Sequence, residues 1–309
     1  RRTSGTGVDF FHCAGRTPAT MSALDVDRRR LDAGEVTLHA ATAGPEDGDP
    51  VVLLHGFPEF WYGWRRQIPA LADAGYRVIA PDQRGYNRSD KPDGIESYAV
   101  DKLAADAVGV LDALGYDRAR FVGHDWGAGV LWQALLEHPG RIERAVVMNV
   151  PHPAVFEGYF AEEPSQLLDS WYMFFFQLPT LPEWAWRAGD WRLLRWFIDT
   201  SNRPDTFTAA DLDRYREAWE RPGAFSAMLD WYRALFRVDP GDPTTMEVGP
   251  PTMLLWGAQD AYLSRGMAAP SIEYCRNGRL ELFEDATHWL HHEIPDRVNE
   301  RVLEFFEAG

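Results

Sequence analysis

The sequence predicts an α/β domain with a mostly parallel sheet, interrupted by a helical insert, and three features carry that expectation. Strand-like and helix-like segments alternate from Val51 to Asn149, as in a parallel sheet wrapped by helices. Val51 to Leu54 is a short unbroken apolar run, the mark of a strand buried on both faces. After Pro151 the alternation stops, and it resumes only at Thr252. The intervening stretch has no strand-like run and holds seven of the thirteen tryptophans.

Taken in order, Leu31 to Ala43 reads as one or two edge strands, closed by the turn-rich segment Gly44 to Pro50. Arg65 to Ala74 reads as a helix, Tyr76 to Ala80 as a strand, Ser97 to Leu114 as a helix and Arg120 to Val122 as a strand. Ala128 to Glu137 is then helical and Ala145 to Asn149 extended. Beyond the insert, Thr252 to Trp256 and Arg279 to Phe283 read as strands, and Pro295 to Phe306 as a closing helix. The expected organisation is a core formed by residues 21–151 and 248–309, with a helical lid over 152–247, within the size of a small domain. Residues 1–20 differ in character from the rest, and Met21 is a plausible start, so they read as an extension outside the fold.

Composition narrows the function classes. Hydrophobic residues make up 45% and charged residues 25%, as in ordinary globular proteins. No apolar run reaches the ~18 residues that span a bilayer. The net charge of −16 argues against a nucleic-acid backbone or an anionic membrane as partner. Lys91 and Lys102 are the only lysines, which fits biased codon usage in a GC-rich genome as well as salt adaptation. Cys13 and Cys275 have no metal-like spacing, and the first residues lack the apolar segment of a secretory signal. A reducing, cytoplasmic setting is the expectation.

The most informative local sequence is Phe121-Val122-Gly123-His124-Asp125-Trp126-Gly127-Ala128-Gly129. A strand ends, one residue sits in a turn between glycines, and a helix begins. This is the layout of a nucleophile elbow, in which a strained turn lifts one side chain above a sheet. Gly-x-Asp-x-Gly also occurs in plain turns and calcium loops, but the flanking strand and helix favour the elbow. Asp125 stands where ester hydrolases carry Ser. A carboxylate nucleophile attacks an electrophilic sp3 carbon and forms an ester that water must then cleave. Epoxides and carbon–halogen bonds are the candidate electrophiles.

Cleaving that ester requires a base. His12 lies in the N-terminal extension, His39 is on an early strand with no charge partner in view, and His138 precedes Pro139 at a helix end. His124 adjoins the nucleophile and should point elsewhere. His288 follows the last strand, at the edge where ligands of such sheets collect. Elbow enzymes run in the order nucleophile, acid, histidine, and Asp260, just after a strand, falls between Asp125 and His288 to orient the imidazole. His288, His291 and His292 have helical spacing that a metal could use, but no second ligand set accompanies them. No metal or cofactor is expected, and His291 and His292 read as exposed or helix-packing residues. His55-Gly56-Phe57-Pro58 follows the first buried strand, so the amides of Phe57 and Trp126 are the expected oxyanion hole. His55 reads as structural.

Together these motifs resemble the soluble epoxide hydrolases of the α/β-hydrolase fold. The likeness runs from about Val51 to Phe306 and includes Asp82-Gln83-Arg84-Gly85-Tyr86-Asn87-Arg88-Ser89-Asp90-Lys91-Pro92 and Asn149-Val150-Pro151-His152-Pro153. The family usually has Gly where Asn87 stands, and Asn is the next best residue for a left-handed backbone. The resemblance implies two lid tyrosines that hold and protonate the epoxide oxygen. Their settings are matched by Ser170-Trp171-Tyr172-Met173 and by Asp230-Trp231-Tyr232-Arg233, pointing to Tyr172 and Tyr232. Tyr159 and Tyr215 are then structural aromatics.

Haloalkane dehalogenases share the Asp nucleophile and would use Trp126 to hold halide. They usually have Asn where Phe57 stands, and they lack the tyrosine pair. Fluoroacetate dehalogenases share His-Gly-Phe-Pro but tend to have Arg in place of Trp126. A non-catalytic binding protein would have no need of the full residue set. The expected substrate is a small apolar or aromatic epoxide held by Trp126, Trp171, Phe57 and Trp289. A homodimer is compatible with the sequence.

Overall fold

The computed structural model describes residues 24–308, apart from 163–165, 167–169 and 242. The expected extension over residues 1–20, with His12 and Cys13, lies outside the described residues, as does Met21. The strands are β1 (Asp27–Asp32), β2 (Thr37–Ala43), β3 (Pro50–Leu54), β4 (Arg77–Pro81), β5 (Ala119–His124), β6 (Ile142–Met148), β7 (Thr252–Gly257) and β8 (Gly278–Phe283). They form one sheet in the order β1-β2-β4-β3-β5-β6-β7-β8. β1 pairs antiparallel with β2, and β2 with β4, whereas every pairing from β4 to β8 is parallel. The apolar runs in β3, β4 and β7 are buried on both faces, as parallel strands covered by helices require.

Leu31 to Ala43 resolves into two strands, of which only β1 is an edge. β2 lies inside the sheet because its small residues Ala40, Ala41 and Ala43 let it pack between β1 and β4. Helices α1 (Gln67–Asp73) and α2 (Val100–Leu114) each start later than the sequence suggests. Ser97 and Tyr98 belong instead to a 3-10 turn (Ile95–Tyr98), and a second such turn (Trp61–Trp64) ends just before Arg65. α2 stops at Gly115, whose left-handed backbone closes the helix. α3 (Trp126–Glu137) packs on α2, and α1 packs on the closing helix of the chain.

Between β6 and β7 the described residues contain helices and no named strand. These are α4 (Pro153–Glu162), α5 (Trp171–Phe175), α6 (Leu181–Thr200), α7 (Ala209–Trp219) and α8 (Ala224–Arg237). α6 is broken midway, where Gly189, Asp190 and Trp191 have positive φ. α7 opens on a capping box between Thr208 and Asp211. α8 buries Phe225, Met228, Leu229, Trp231 and Tyr232. Its Trp231 indole donates to the Arg84 carbonyl (3.0 Å), and the Trp219 indole of α7 donates to that of Pro58 (2.6 Å). The helical insert is thus fastened to the loops that follow β3 and β4. The chain closes with α9 (Ala268–Ile272), α10 (Leu290–Glu293) and α11 (Pro295–Glu307).

The chain leaves β3 for β4 on one side and returns to β5 on the other. The crevice above the carboxyl ends of β3 and β5 is therefore a topological switch point, where open α/β sheets bind ligands.

Candidate active site

β5 delivers Asp125 into that crevice in a conformation few L-residues adopt, with φ 50° and ψ −126°. Such backbone strain persists only where its surroundings over-determine it. They do so here by close approach. A Cβ on Gly127 would overlap the Leu54 carbonyl oxygen, and one on Gly56 would overlap the Asp125 side chain. Both glycines are thus demanded by contact with β3 and its following turn.

The two carboxylate oxygens of Asp125 face different partners. Oδ1 accepts from the Phe57 amide at 2.6 Å, and the Trp126 amide also hydrogen-bonds this carboxylate. Oδ2 lies 3.4 Å from His288 Nε2. Burial acts to raise the Asp125 pKa, but the hydrogen bond and charge of His288 outweigh it and hold the group below the usual carboxylate value. His288 is 3% exposed and donates through Nδ1 to Asp260 Oδ2 at 2.8 Å. Asp260 is itself fixed by Asn149 Nδ2 (2.6 Å) and by the amides of Tyr262 (2.7 Å) and Leu263 (3.1 Å). Burial lowers the His288 pKa, yet the charge of Asp260 and the hydrogen bonds to both carboxylates carry it up to about 10. His288 thus lies between the Asp125 and Asp260 side chains and is held toward its protonated form.

A small cavity of about 10 Å³ is lined by Phe57, Asp125, Tyr172, Phe197, Tyr232, Tyr262, His288 and Trp289. It has room for a single water. Ligand pockets generally measure ~300–1,000 Å³, so an organic ligand requires the lid side chains to withdraw. The rings of Tyr172 and Tyr232 stand edge to face, 5.9 Å apart. Burial, then the charge of Asp125, raises both phenols well above their ordinary value, so both remain protonated donors.

Most residues expected at the site converge there. Asp125, His288, Tyr172, Tyr232, Phe57 and Trp289 line the cavity, and Asp260 stands behind His288. Trp126 sits one layer out, its ring 5.1 Å from Tyr232 and its indole hydrogen-bonded to that phenol. Trp171 does not join them. It is 53% exposed and leans on Phe175, because α5 turns the adjacent Tyr172 inward. Sequence reasoning missed Phe197 and Tyr262 on the cavity wall and Asn149 beneath Asp260. Tyr262 carried a usable signal, two residues after Asp260, and Phe197 carried none.

Several histidines also need correction. His39 has a charge partner, Asp82, at 2.6 Å, supplied by the loop that follows β4. His291 and His292 are buried, and they gather on Glu59 rather than with His288. Glu59 Oε1 accepts from His292 Nε2 (2.7 Å) and Tyr215 (2.6 Å), while Arg65 donates to His292 Nδ1 (3.1 Å). Burial would raise the Glu59 carboxyl, but the imidazoles of His292, His124 and His291 around it hold it well below its ordinary value. Burial keeps His292 neutral, at about 4. His124 turns away from the cavity, as expected, and donates through Nε2 to the His288 carbonyl at 2.8 Å. His55 is structural, accepting from the Gln83 amide at 3.0 Å.

Residues 49–295 match the family model of the alpha/beta hydrolase fold. The chain is 47% identical to the AB hydrolase superfamily protein YfhM of Bacillus subtilis, over 90% of this chain and 96% of that one. It is 36% identical to mouse epoxide hydrolase 4, over 90% and 78% of the two chains. Among solved structures, a variant of the Bacillus megaterium epoxide hydrolase, complexed with its naphthyloxy-propane diol product, superposes with a TM-score of 0.83. It is 30% identical, over 91% of this chain and all of that one. By elbow, sheet order and relatives alike, the chain belongs to the epoxide hydrolase subfamily of the α/β-hydrolase fold.

Proposed function

We propose that the protein converts an epoxide and water to a vicinal diol through a covalent ester on Asp125. The observation that carries this reading is the meeting of Asp125, His288, Tyr172 and Tyr232 around one cavity. Asp125 Oδ2 attacks an epoxide carbon, the carbon–oxygen bond breaks, and the leaving oxygen is met by the two phenols. An alkoxide in so dry a site needs such donors. Esterification removes the Asp125 charge, so His288 gives up its proton, which balances the alkoxide. Neutral His288, oriented by Asp260, then takes a proton from water as that water attacks the ester carbonyl. The oxyanion forms at Oδ1, against the Phe57 and Trp126 amides. Diol and free carboxylate result, with water as the only co-substrate.

The aromatic cavity wall suits an apolar or aryl epoxide, a class supported by the naphthyl diol bound to the B. megaterium relative. A single helical lid over residues 152–247 is the unit that closes on it. Against halide chemistry, the Trp126 indole is engaged with Tyr232, and Phe57 offers no side-chain donor. Trapping tests the proposal. His288→Gln, incubated with an aryl epoxide, should accumulate a mass increase on Asp125 equal to the epoxide. No adduct from epoxides, together with halide release from a chlorinated substrate, would replace this reading with a dehalogenase.

A further inference from the structure

A second cleft, of about 370 Å³, opens between the sheet edge and the insert, and it shares no lining residue with the catalytic cavity. Arg30 of β1, Arg88 and Lys91 of the loop after β4, and Arg221 of the turn between α7 and α8 line it, over His39 and Asn87. In a chain of net charge −16 with only two lysines, this concentration of cations is out of keeping with the surface. Among the described residues, only Arg30 of these four forms an ion pair, with Asp90 at 3.0 Å. Lys91 donates to the carbonyls of Asn87 and Ser89, and Arg221 Nε donates to Asn87 Oδ1 at 2.6 Å. Neither bond neutralises a charge.

The cations also repel one another. Burial lowers the Lys91 pKa, and Arg221 and Arg30 lower it further against Asp82 and Asp90. Burial and then Arg88 lower that of Arg221, against Asp82 and Glu217. Asp82 is the carboxylate nearest the floor, but it is wholly buried. It is shared among His39, Asn87 and the Trp61 amide, so it is not free to pair with the cleft cations. Arg88, Lys91 and Arg221 thus have no carboxylate in ion-pair contact among the described residues.

We propose that this cleft binds a phosphate group, free or as the monoester of a small molecule. Guanidinium forks match phosphate oxygens in pairs, and an ammonium adds a compact third charge. A cleft of this size holds a small anion, and the acidic remainder of the molecule repels a nucleic-acid strand. Arg221 belongs to the insert whereas Arg30, Arg88 and Lys91 belong to the sheet domain, so the bound group would tie the two together. The inference is independent of the chemistry at Asp125.

Thermal melts and calorimetry at matched ionic strength test it, with inorganic phosphate, phenyl phosphate and sodium chloride as the three additives. Saturable binding of a phosphate, with Tm raised by about 3 °C at roughly ten times Kd, is expected for the wild type. Arg88→Gln and Arg221→Gln should each weaken it about tenfold, since each removes one charge-assisted contact. Arg88 is exposed and unpaired, so its variant should fold and keep its epoxide turnover. Tighter binding of phenyl phosphate than of phosphate identifies a monoester as the ligand, and equal binding identifies the free ion. A chloride effect equal to that of phosphate, no saturation, or undiminished binding in both variants would overturn the proposal.

Discussion

Replacing Asp125 by Asn should lower the His288 pKa by several units and so reproduce, without substrate, the loss of charge that the proposed ester would bring. His288 titrates at about 10 against an ordinary 6.5, and at ~1.36 kcal/mol per unit that rise amounts to about 5 kcal/mol. Asp125 Oδ2 stands 3.4 Å from Nε2, where Coulomb's law with an effective dielectric of ~20 gives about 5 kcal/mol. Asp260, at 2.8 Å, contributes more, and burial opposes both. Loss of the Asp125 charge alone should therefore return His288 to about 6–7. At about pH 8 the neutral fraction then rises from about 1% to above ~90%. Esterification removes the same charge, so the base would become competent only once an ester awaits hydrolysis. Nitrogen-15 NMR titration of His288 in the wild type and in Asp125→Asn measures both values. A wild-type value near 6.5, or a drop of less than about one unit in the variant, would refute this account.

The same shift fixes how stability depends on pH. His288 is raised above its unfolded value, so its contribution is fully present below about 6.5 and is lost as pH rises through about 10. Asp125 is depressed, so its share is present above the ordinary carboxylate value and fades as pH falls through its lowered folded value. Denaturant unfolding should accordingly show stability falling by up to about 3–4 kcal/mol from neutral to pH ~10, with a much smaller slope in Asp125→Asn. Tyr172→Phe and Tyr232→Phe should each slow ester formation by about 10²–10³-fold while leaving ester hydrolysis nearly unchanged, as rapid-quench mass spectrometry can separate. Glu59→Ala should cost about 3 kcal/mol or more, because it strips a buried network of its carboxylate. Calorimetry should then show Tm lower by about 6 °C or more.

The legible parts of this molecule were those set by local backbone demands. The Gly-x-Asp-x-Gly turn, the Gly after His55 and the unbroken apolar runs each encode their own geometry, so the elbow and the central strands could be placed from short stretches. The triad followed, because chain order and strand ends confined Asp260 and His288 to the rim of the sheet. Tyr172 and Tyr232 came from resemblance, not from local chemistry. What escaped depends on contacts distant in sequence. His39 finds Asp82 across 43 residues, and His292 finds Glu59 across 233. Neither partner can be read from the neighbourhood of the histidine. Trp171 and Tyr172 differ by one helical position, about 100° of rotation on α5, and only the packed insert decides which of them faces the cavity.

That histidine network bears on Asp125 and His288 although no member of it lines the cavity. His124 ends β5 immediately before Asp125, and it donates to the His288 carbonyl. Glu59 follows the turn whose Phe57 amide holds Asp125 Oδ1, and it collects the two histidines that come directly after His288. Through Tyr215 the same carboxylate reaches α7 of the insert. The loop after β3, the elbow after β5 and the loop after β8 thus converge on one buried charge beneath the cavity. A carboxylate that cross-links three loops and a helix is placed to hold the 3.4 Å alignment of His288 with Asp125.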